Sequence, residues 1–354
     1  MKLKYQYKKT ASAKEILLYT ALSECRPDRK GYGIAKAASG EKGYYDLVNT
    51  DDTWATHLRV KKGSTTYAIG DNNIVSSLAK ASSYVSDSST ATSIPSNYIK
   101  YSKETRGKSH SYAFAGLPKV TSINVTGINT SLSHSFYGMF MDDAKLASIT
   151  GLNTLNTSKI DTFRAMFYGC ESITNLNVSG FNTSLVTDMA QMFHECHLLT
   201  SLNLTSWDVS SVEDTNYMFN ECNSLKSIDL STWRTPKLRN CSSMFFQCEN
   251  LEIIDISNFE TGSGIEVYAH FMFDRCPALK YIIIGSSTFK FKLTDRYSNI
   301  DFYYDAPNCK ILVPSRLIST YQNAAGWSEI QNPFDAIENY NITRSNGKVT
   351  VTHK

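Results

Sequence analysis

The sequence predicts a repeat solenoid, in which short strands stack into a parallel β-sheet and short helical turns join them. The dipeptide Met-Phe recurs at nearly constant spacing, which is typical of stacked repeat units. It begins at Met139, Met166, Met192, Met218, Met244 and Met272, in steps of 27, 26, 26, 26 and 28 residues. A cysteine follows four residues after the methionine at Cys170, Cys196, Cys222, Cys248 and Cys276. Apolar residues also keep fixed positions, so each unit can bury its apolar face only against its neighbours.

Each unit contains a short strand. In Leu-Thr-Ser-Leu-Asn-Leu (199–204), the last two leucines alternate with polar residues, as in a strand with one buried face. We therefore expect Ser201 and Asn203 to point outward. A weaker copy begins at Ala113, one period of 26 residues before Met139, which extends the array to seven units over about residues 110–285.

The segment before each Met-Phe pair, as in Val-Thr-Asp-Met-Ala-Gln-Met-Phe (186–193), has helical-turn spacing and predicts a short helical or irregular turn. The cysteines form a ladder whose neighbours would lie within disulfide reach, about 5 Å between Cα atoms. A ladder of five cannot pair completely, so reduced, buried thiols are the simpler interpretation.

A column of aromatic residues follows each strand, at Phe181, Trp207, Trp233 and Phe259. Exposed rings of this kind could stack on sugars. Packing in the core is the favoured interpretation, because large aromatic side chains supply much of the buried area in protein cores.

The unit C-x-x-L-x-x-L-(N/D)-(L/V/I)-(S/T)-x-(F/W), followed by V-x-x-M-x-x-M-F, resembles the 26-residue leucine-rich repeats of the BspA-like family. That family includes bacterial and protist surface proteins and some phage virion proteins. The resemblance covers about half of the chain, and residues 309–327 resemble the element that often closes such arrays. The resemblance implies a leucine-rich-repeat-like fold and a role in recognition or adhesion, and it implies no catalytic activity. Asp143 departs from the pattern, since it replaces the cysteine in the second unit.

Three parts are expected: a small α+β N-terminal head that serves attachment (1–97), the solenoid (98–290) and a C-terminal cap of strand, helix and hairpin (291–354). Within the head, the patterns predict a helix capped by Ser12, a hairpin of residues 54–60 and 65–69, a helix over 72–84 and a polar linker over 85–97.

Within the cap, the sequence predicts a strand at Lys310–Val313 and a helix over 315–325, which follows Pro314. Asn346-Gly347 lies between two alternating runs and predicts a type I′ hairpin.

Charge is uneven along the chain. Residues 1–109 carry 18 Lys and Arg against 10 Asp and Glu, a net +8, while the remainder carries 18 against 23, a net −5. The basic head could dock on an acidic partner, but solubility is the favoured interpretation. The apolar run from Ile16 to Leu22 is short for a signal peptide, and no apolar run is long enough to predict a membrane span.

The candidate ligand-binding residues lie on the outward strand face: Asn175, Asn177, Ser201, Asn203, Ser227, Asp229 and Asp255. The Asn/Asp column among them could bind a cation or a sugar. Alternatively, the Asn and Asp side chains form hydrogen bonds along the stacked strands or face water.

No catalytic residue, metal or cofactor is expected. His194-Glu195-Cys196-His197 lacks the H-E-x-x-H spacing, and its histidines fall on variable turn positions. Asp188 and Asp214 share one repeat column, about one coil apart on a surface, whereas a glycosidase needs two carboxylates across a cleft.

The leading hypothesis is a non-enzymatic recognition protein, and specifically a phage virion component such as a tail or head fibre. The head would contact other virion or surface proteins, and the repeats would contact a glycan or protein of a bacterial surface. A bacterial surface adhesin, a surface-glycan depolymerase and a purely architectural spacer remain as alternatives. A homo-oligomer is possible, although no heptad seam supports a fibre trimer, and no nucleic acid partner is expected.

Overall fold

The protein is represented by a computed structural model, which describes residues 46–49, 58–62, 65–69, 93–94, 110–111, 113–128, 130–285, 289–291, 306, 308–324, 327 and 334–354. Its strands are β1 (Asp46–Asn49), β2 (Leu58–Lys62), β3 (Thr65–Ile69), β4 (Ser93–Ile94), β5 (Ser122–Asn124), β6 (Ser148–Thr150), β7 (Ser227–Asp229), β8 (Ile253–Asp255), β9 (Tyr281–Ile283), β10 (Lys310–Val313), β11 (Phe334–Ala336), β12 (Tyr340–Ser345) and β13 (Lys348–His353). The helices among the described residues are α1 (Ile318–Gln322) and the 3₁₀ turns at Leu152–Thr154, Ser315–Leu317 and Ile337–Asn339.

The strands of the array stack in parallel and in register. One sheet has the order β4-β5-β6 and the other has the order β11-β10-β9-β8-β7. Ile228 pairs with Ile254, Ile254 with Ile282, and Ile282 with Ile311, so the equivalent residue of each coil lies beside its counterpart. A bridge between Asn175 and Ser201 continues the stack between the two sheets. The fold is therefore a parallel β-solenoid of the leucine-rich-repeat type with little helix, as predicted.

The segments before each Met-Phe pair are irregular turns rather than helices, which decides between the two predicted forms. The residue before the repeat methionine has a left-handed backbone, as at Gln191 with φ 59°. Its N–H donates to the carbonyl of Asn216 in the next coil, and the N–H of Phe193 donates to Met218 O. These N–H groups point along the axis of the array, so their hydrogen-bond partners are carbonyls of the next coil. A helix would turn the N–H groups toward carbonyls of its own segment and break these bonds between coils.

One row of phenylalanines runs through the core from coil to coil. It consists of Phe114, Phe140, Phe167, Phe193, Phe219, Phe245 and Phe273. Neighbouring rings stack with centroids 5.3–5.7 Å apart and interplanar angles of 3–13°. The aligned backbone turns of successive coils place these rings one above the other, so the row joins the coils into one core.

The aromatic column Phe181, Trp207, Trp233 and Phe259 is also buried, which confirms the prediction of core packing over sugar stacking. The Trp207 ring stacks on Trp233, with centroids 6.3 Å apart. Each indole N–H donates to a carbonyl of the preceding coil, from Trp207 to Val178 O and from Trp233 to Leu204 O. A tryptophan is accommodated here because its single polar group has a partner.

The local predictions in the head are partly confirmed. β2 and β3 pair as an antiparallel hairpin, in which Lys61 and Lys62 belong to the strand rather than to the turn. The linker prediction over 85–97 is wrong at β4, which pairs in parallel with β5 and adds a strand to the array. The helices predicted after Ser12 and over 72–84 lie outside the described residues.

The cap follows the prediction closely. β10 spans the predicted residues, and a 3₁₀ turn continues into α1, which ends at Gln322. β12 and β13 form the predicted hairpin, with positive φ at Asn346 (49°) and Gly347 (76°) as a type I′ turn requires. Among the helices of the described residues, none combines the length and the apolar character that a membrane span requires.

Candidate functional site

The Asn/Asp column on the outward strand face forms a repeated turn. Oδ1 of Asn124 accepts the N–H of Thr126, and Oδ1 of Asn177 accepts the N–H and hydroxyl of Ser179. The same bonds recur at Asn203, Asp229 and Asp255, each to the residue two positions on. The column is therefore explained in the first place by Asx turns that end each strand.

The hairpin of β12 and β13, here called the C-terminal hairpin, lies across the strand face of the last coils. The carbonyl of Gly347 accepts the N–H of Asp229, and the N–H of Val349 donates to Oγ of Ser227. Tyr340 and Val349 pack with Ile283 and Leu312 in a small apolar cluster under the hairpin. The hairpin thus covers residues that would otherwise face solvent.

This arrangement corrects the predicted location of two candidate site residues. Asp229 is 4% exposed and Asp255 is 0% exposed, because the C-terminal hairpin covers both. Arg344 neutralises Asp255, with its Nε and Nη2 2.7 and 2.6 Å from Oδ2. Burial raises the pKa of the Asp255 carboxyl, and the charge of Arg344 opposes this shift. Ser227, which is half-buried, also lies under the hairpin.

The other predicted site residues remain accessible to different degrees. Asn175 and Asn177 are exposed, and Ser201 and Asn203 are half-buried. The turn of the C-terminal hairpin abuts the strand at Asn203, since a Cβ on Gly347 would lie 2.8 Å from its Cα. The strand face of the earlier coils, which we call the open strand face, consists of Ser122, Asn124, Ser148, Thr150, Asn175 and Asn177. The last four are exposed, and Ser122 and Asn124 are half-buried.

A second carboxylate column lies on another side of the coils. Asp188 and Asp214 each accept the N–H two residues on, from Ala190 and Asn216. Arg164 lies 3.6 Å from Asp188 and 4.0 Å from Asp214. Burial raises the pKa of both carboxyls. The two acids thus occupy adjacent coils beside one cation, in the single column that the repeat predicts.

The cysteine ladder is present as predicted, and its thiols are free and buried. Each one donates to the carbonyl of the stacked phenylalanine in the preceding coil, as from Cys196 to Phe167 O at 3.2 Å and from Cys222 to Phe193 O at 3.2 Å. Burial raises the pKa of the Cys196 and Cys222 thiols well above the ordinary value. The ladder is therefore a structural element of the core, and thiols in such surroundings are poor nucleophiles.

The tertiary structure brings together a His-Glu cluster, which we define as His194, Glu195 and Glu221. One ligand-capable atom from each lies within 4.8 Å of the other two. Burial lowers the pKa of His194 to about 4, so its imidazole is neutral at pH 7. The H-E-x-x-H pattern does not reveal this cluster, because Glu221 comes from the next coil. In the sequence, this cluster is indicated only by the fact that Glu195 and Glu221 occupy the same position in successive repeats.

The fold and these features define a leucine-rich-repeat-like solenoid, and its repeats resemble those of the BspA-like type. In agreement, residues 130–259 and 166–284 match a family described as Mycoplasma protein of unknown function, DUF285. The matched residues are the repeats themselves. No curated protein matches the chain.

Solved structures give weaker likenesses. A leucine-rich repeat protein from Bacteroides ovatus ATCC 8483 is 16% identical, with coverage of 79% of this chain and 97% of that one and a TM-score of 0.26. The pneumococcal vaccine antigen PcpA is 11% identical, with coverage of 83% and 96% and a TM-score of 0.21. With scores this low, the fold assignment rests on the repeat geometry and not on these alignments.

Proposed function

We propose that this chain is a non-enzymatic recognition protein whose open strand face binds a polar, uncharged ligand on a bacterial surface, such as a neutral glycan. The observation that carries the proposal is the composition of that face. Its six residues are serine, threonine or asparagine, and none carries a charge. Such groups form hydrogen bonds, and their transfer from water costs far less than that of charged groups.

The asparagines on the open strand face leave specific groups for a ligand. Oδ1 of Asn124 and of Asn177 is used in the Asx turn. Their side-chain NH₂ groups have no partner among the residues that the structure describes. Each therefore offers two N–H donors to the acceptor oxygens of a ligand, and the two asparagines lie two coils apart, with Thr150 at the equivalent position between them.

Recognition is tested by glycan-array and whole-cell binding with a substitution that keeps the turn. Asn177→Asp retains the Oδ1 acceptor, as Asp229 and Asp255 do in later coils, but replaces the NH₂ group by a charged oxygen. We expect about a tenfold or greater loss of binding, since the donor is lost and an acceptor faces the ligand's acceptors. Asn182→Asp is the matched control, because Asn182 caps a similar turn at a different, exposed corner.

Equal binding by both variants would place the ligand elsewhere on the array. The depolymerase alternative has its own experiment, in which purified protein is incubated with envelope polysaccharide. Release of oligosaccharides would overturn the non-enzymatic part of the proposal.

From the family resemblance, we propose that the protein is a component of a phage virion, and its location on a bacterial cell surface is the second candidate. Fractionation of infected or producing cells tests this part. Co-purification with particles supports the virion. Cleavage by protease on intact uninfected cells supports the surface adhesin and overturns the virion role.

A further inference from the structure

Two glutamates of adjacent coils adopt the same unusual backbone conformation. Glu195 and Glu221 each precede a ladder cysteine, and both have φ 58°. The N–H of Glu195 donates to Asn220 O in the next coil, which sets the two turns in register. Because the coils stack and the two backbones match, the side chains leave in the same direction and their carboxylates lie close together.

A histidine is held beside these carboxylates. Nε2 of His194 lies 3.3 Å from Oε1 of Glu195, and the His194 side chain is 12% exposed. Its ring packs edge-on against Tyr168, with centroids 4.7 Å apart, and stacks on Tyr217, with centroids 5.8 Å apart. The imidazole is thus fixed in position before any ligand arrives.

We infer that the His-Glu cluster binds a divalent first-row transition ion, with Zn²⁺ as the fitting case. In a tetrahedral zinc site, bonds of about 2.0–2.1 Å place ligand atoms about 3.3 Å apart. The distance of 3.3 Å between Nε2 of His194 and Oε1 of Glu195 matches this geometry. The ligand atoms of all three residues lie within 4.8 Å of one another, so small side-chain rotations would bring Glu221 to the same distance. A ligand set that contains an imidazole nitrogen favours a transition ion such as Zn²⁺ over Ca²⁺ or Mg²⁺, which take oxygen ligands.

Neighbouring groups orient the proposed ligands. The hydroxyl of Tyr168 donates to Oε1 of Glu195 at 3.2 Å, and Nε2 of His197 lies 3.5 Å from Oε2 of Glu221. Metal-binding carboxylates commonly have such partners, which hold their orientation. Three protein ligands leave one position of a tetrahedral ion to water or to a group of a bound partner.

The charges also favour a cation. Within the described residues, neither Glu195 nor Glu221 forms an ion pair with a lysine or arginine. Two carboxylates this close repel each other, and a divalent ion would remove the repulsion. It would at the same time join two successive coils of the array.

The test uses the full chain, stripped of metal by chelation, and titrates it with ZnCl₂ in a calorimeter. We expect one zinc ion per chain at this site and a higher Tm with zinc present. Glu221→Gln and His194→Asn should each weaken binding by about tenfold or more. Glu249→Gln and His134→Asn are the matched controls, since both residues are exposed and lie outside the cluster.

Circular dichroism of each variant checks that the fold is intact, and Glu195→Gln provides a third ligand variant from the other coil. Co²⁺ in place of Zn²⁺ should give visible absorption bands of a tetrahedral site that the ligand variants lose. The proposal is overturned if no saturable binding occurs, if the ligand variants bind zinc like the controls, or if Ca²⁺ binds as tightly as Zn²⁺.

Discussion

Arg344 and Asp255 are 89 residues apart in the chain, yet two guanidinium nitrogens of Arg344 contact a single oxygen of the buried Asp255 carboxylate. Asp255 belongs to the repeat column, whereas Arg344 belongs to the C-terminal hairpin. The contact therefore joins the last part of the chain to the face of the array, and it neutralises a carboxylate that the hairpin itself removes from water.

Loss of Arg344 should weaken the attachment of the hairpin. Arg344→Met removes the cation and leaves Asp255 buried without its ion pair, which should lower the free energy of unfolding by about 2–4 kcal/mol at neutral pH. Urea unfolding measures this effect. The double variant Arg344→Met with Asp255→Asn should recover part of the loss, because it leaves no buried charge. A loss that the second substitution does not reduce would contradict this account.

The same variant should change the dependence of stability on pH. Burial raises the pKa of Asp255 above its unfolded value, so the folded state holds this proton more tightly than the unfolded chain does. The free energy of unfolding then falls as pH rises from the unfolded pKa through the folded one. Arg344 opposes the shift, so Arg344→Met should steepen the fall. Urea unfolding at about pH 4 and about pH 7 compares the two proteins.

Gly347 should be required for the hairpin to seat on the array. A Cβ added at Gly347 would overlap the carbonyl oxygen of Leu202, and the residue has φ 76°. Gly347→Ala should therefore lift the turn and speed hydrogen exchange of the amides in β12 and β13. Gly127→Ala is the control, because its φ is 84° but no heavy atom lies within 4 Å of an added Cβ. Equal exchange in both variants would mean that the turn is not held against the strand.

A phenylalanine in the middle of the stacked row should contribute more than one near its end. Phe219 stacks on Phe193 and Phe245, whereas Phe114 stacks on Phe140 alone among the described residues of the row. Phe219→Ala should cost about 3–5 kcal/mol, and Phe114→Ala should cost less. Chemical denaturation followed by tryptophan fluorescence measures both. Equal losses would argue that the coils do not interact mainly with their neighbours.

The ladder thiols should be inert in the native protein. The five ladder cysteines, together with Cys241 and Cys309, are buried and free. Burial raises the pKa of Cys170, Cys196, Cys222, Cys241, Cys248 and Cys309, which suppresses the reactive thiolate. Iodoacetamide should leave these seven unmodified in buffer and alkylate all of them in guanidinium chloride, as peptide mass spectrometry can determine. Rapid labelling of Cys222 in buffer would show that the coils open around it.

The repeat predicted the solenoid, the buried aromatic column, the cysteine ladder and the outward direction of Asn175 and Asn177. These features follow from sequence because each coil repeats one local pattern and contacts mainly the next coil, so a column in the alignment becomes a column in space. Asn346-Gly347 likewise predicted the terminal hairpin, since the turn type depends on the φ values that these two residues allow.

Only the tertiary structure decided which part of the strand face stays open. The hairpin buries Asp229 and Asp255 through contacts made more than 80 residues apart, as between Arg344 and Asp255, and no local periodicity encodes where a terminal element docks. The approach of His194 to two carboxylates depends in the same way on left-handed turns in neighbouring coils. Side-chain direction at such turns is set by backbone angles that residue spacing alone does not specify.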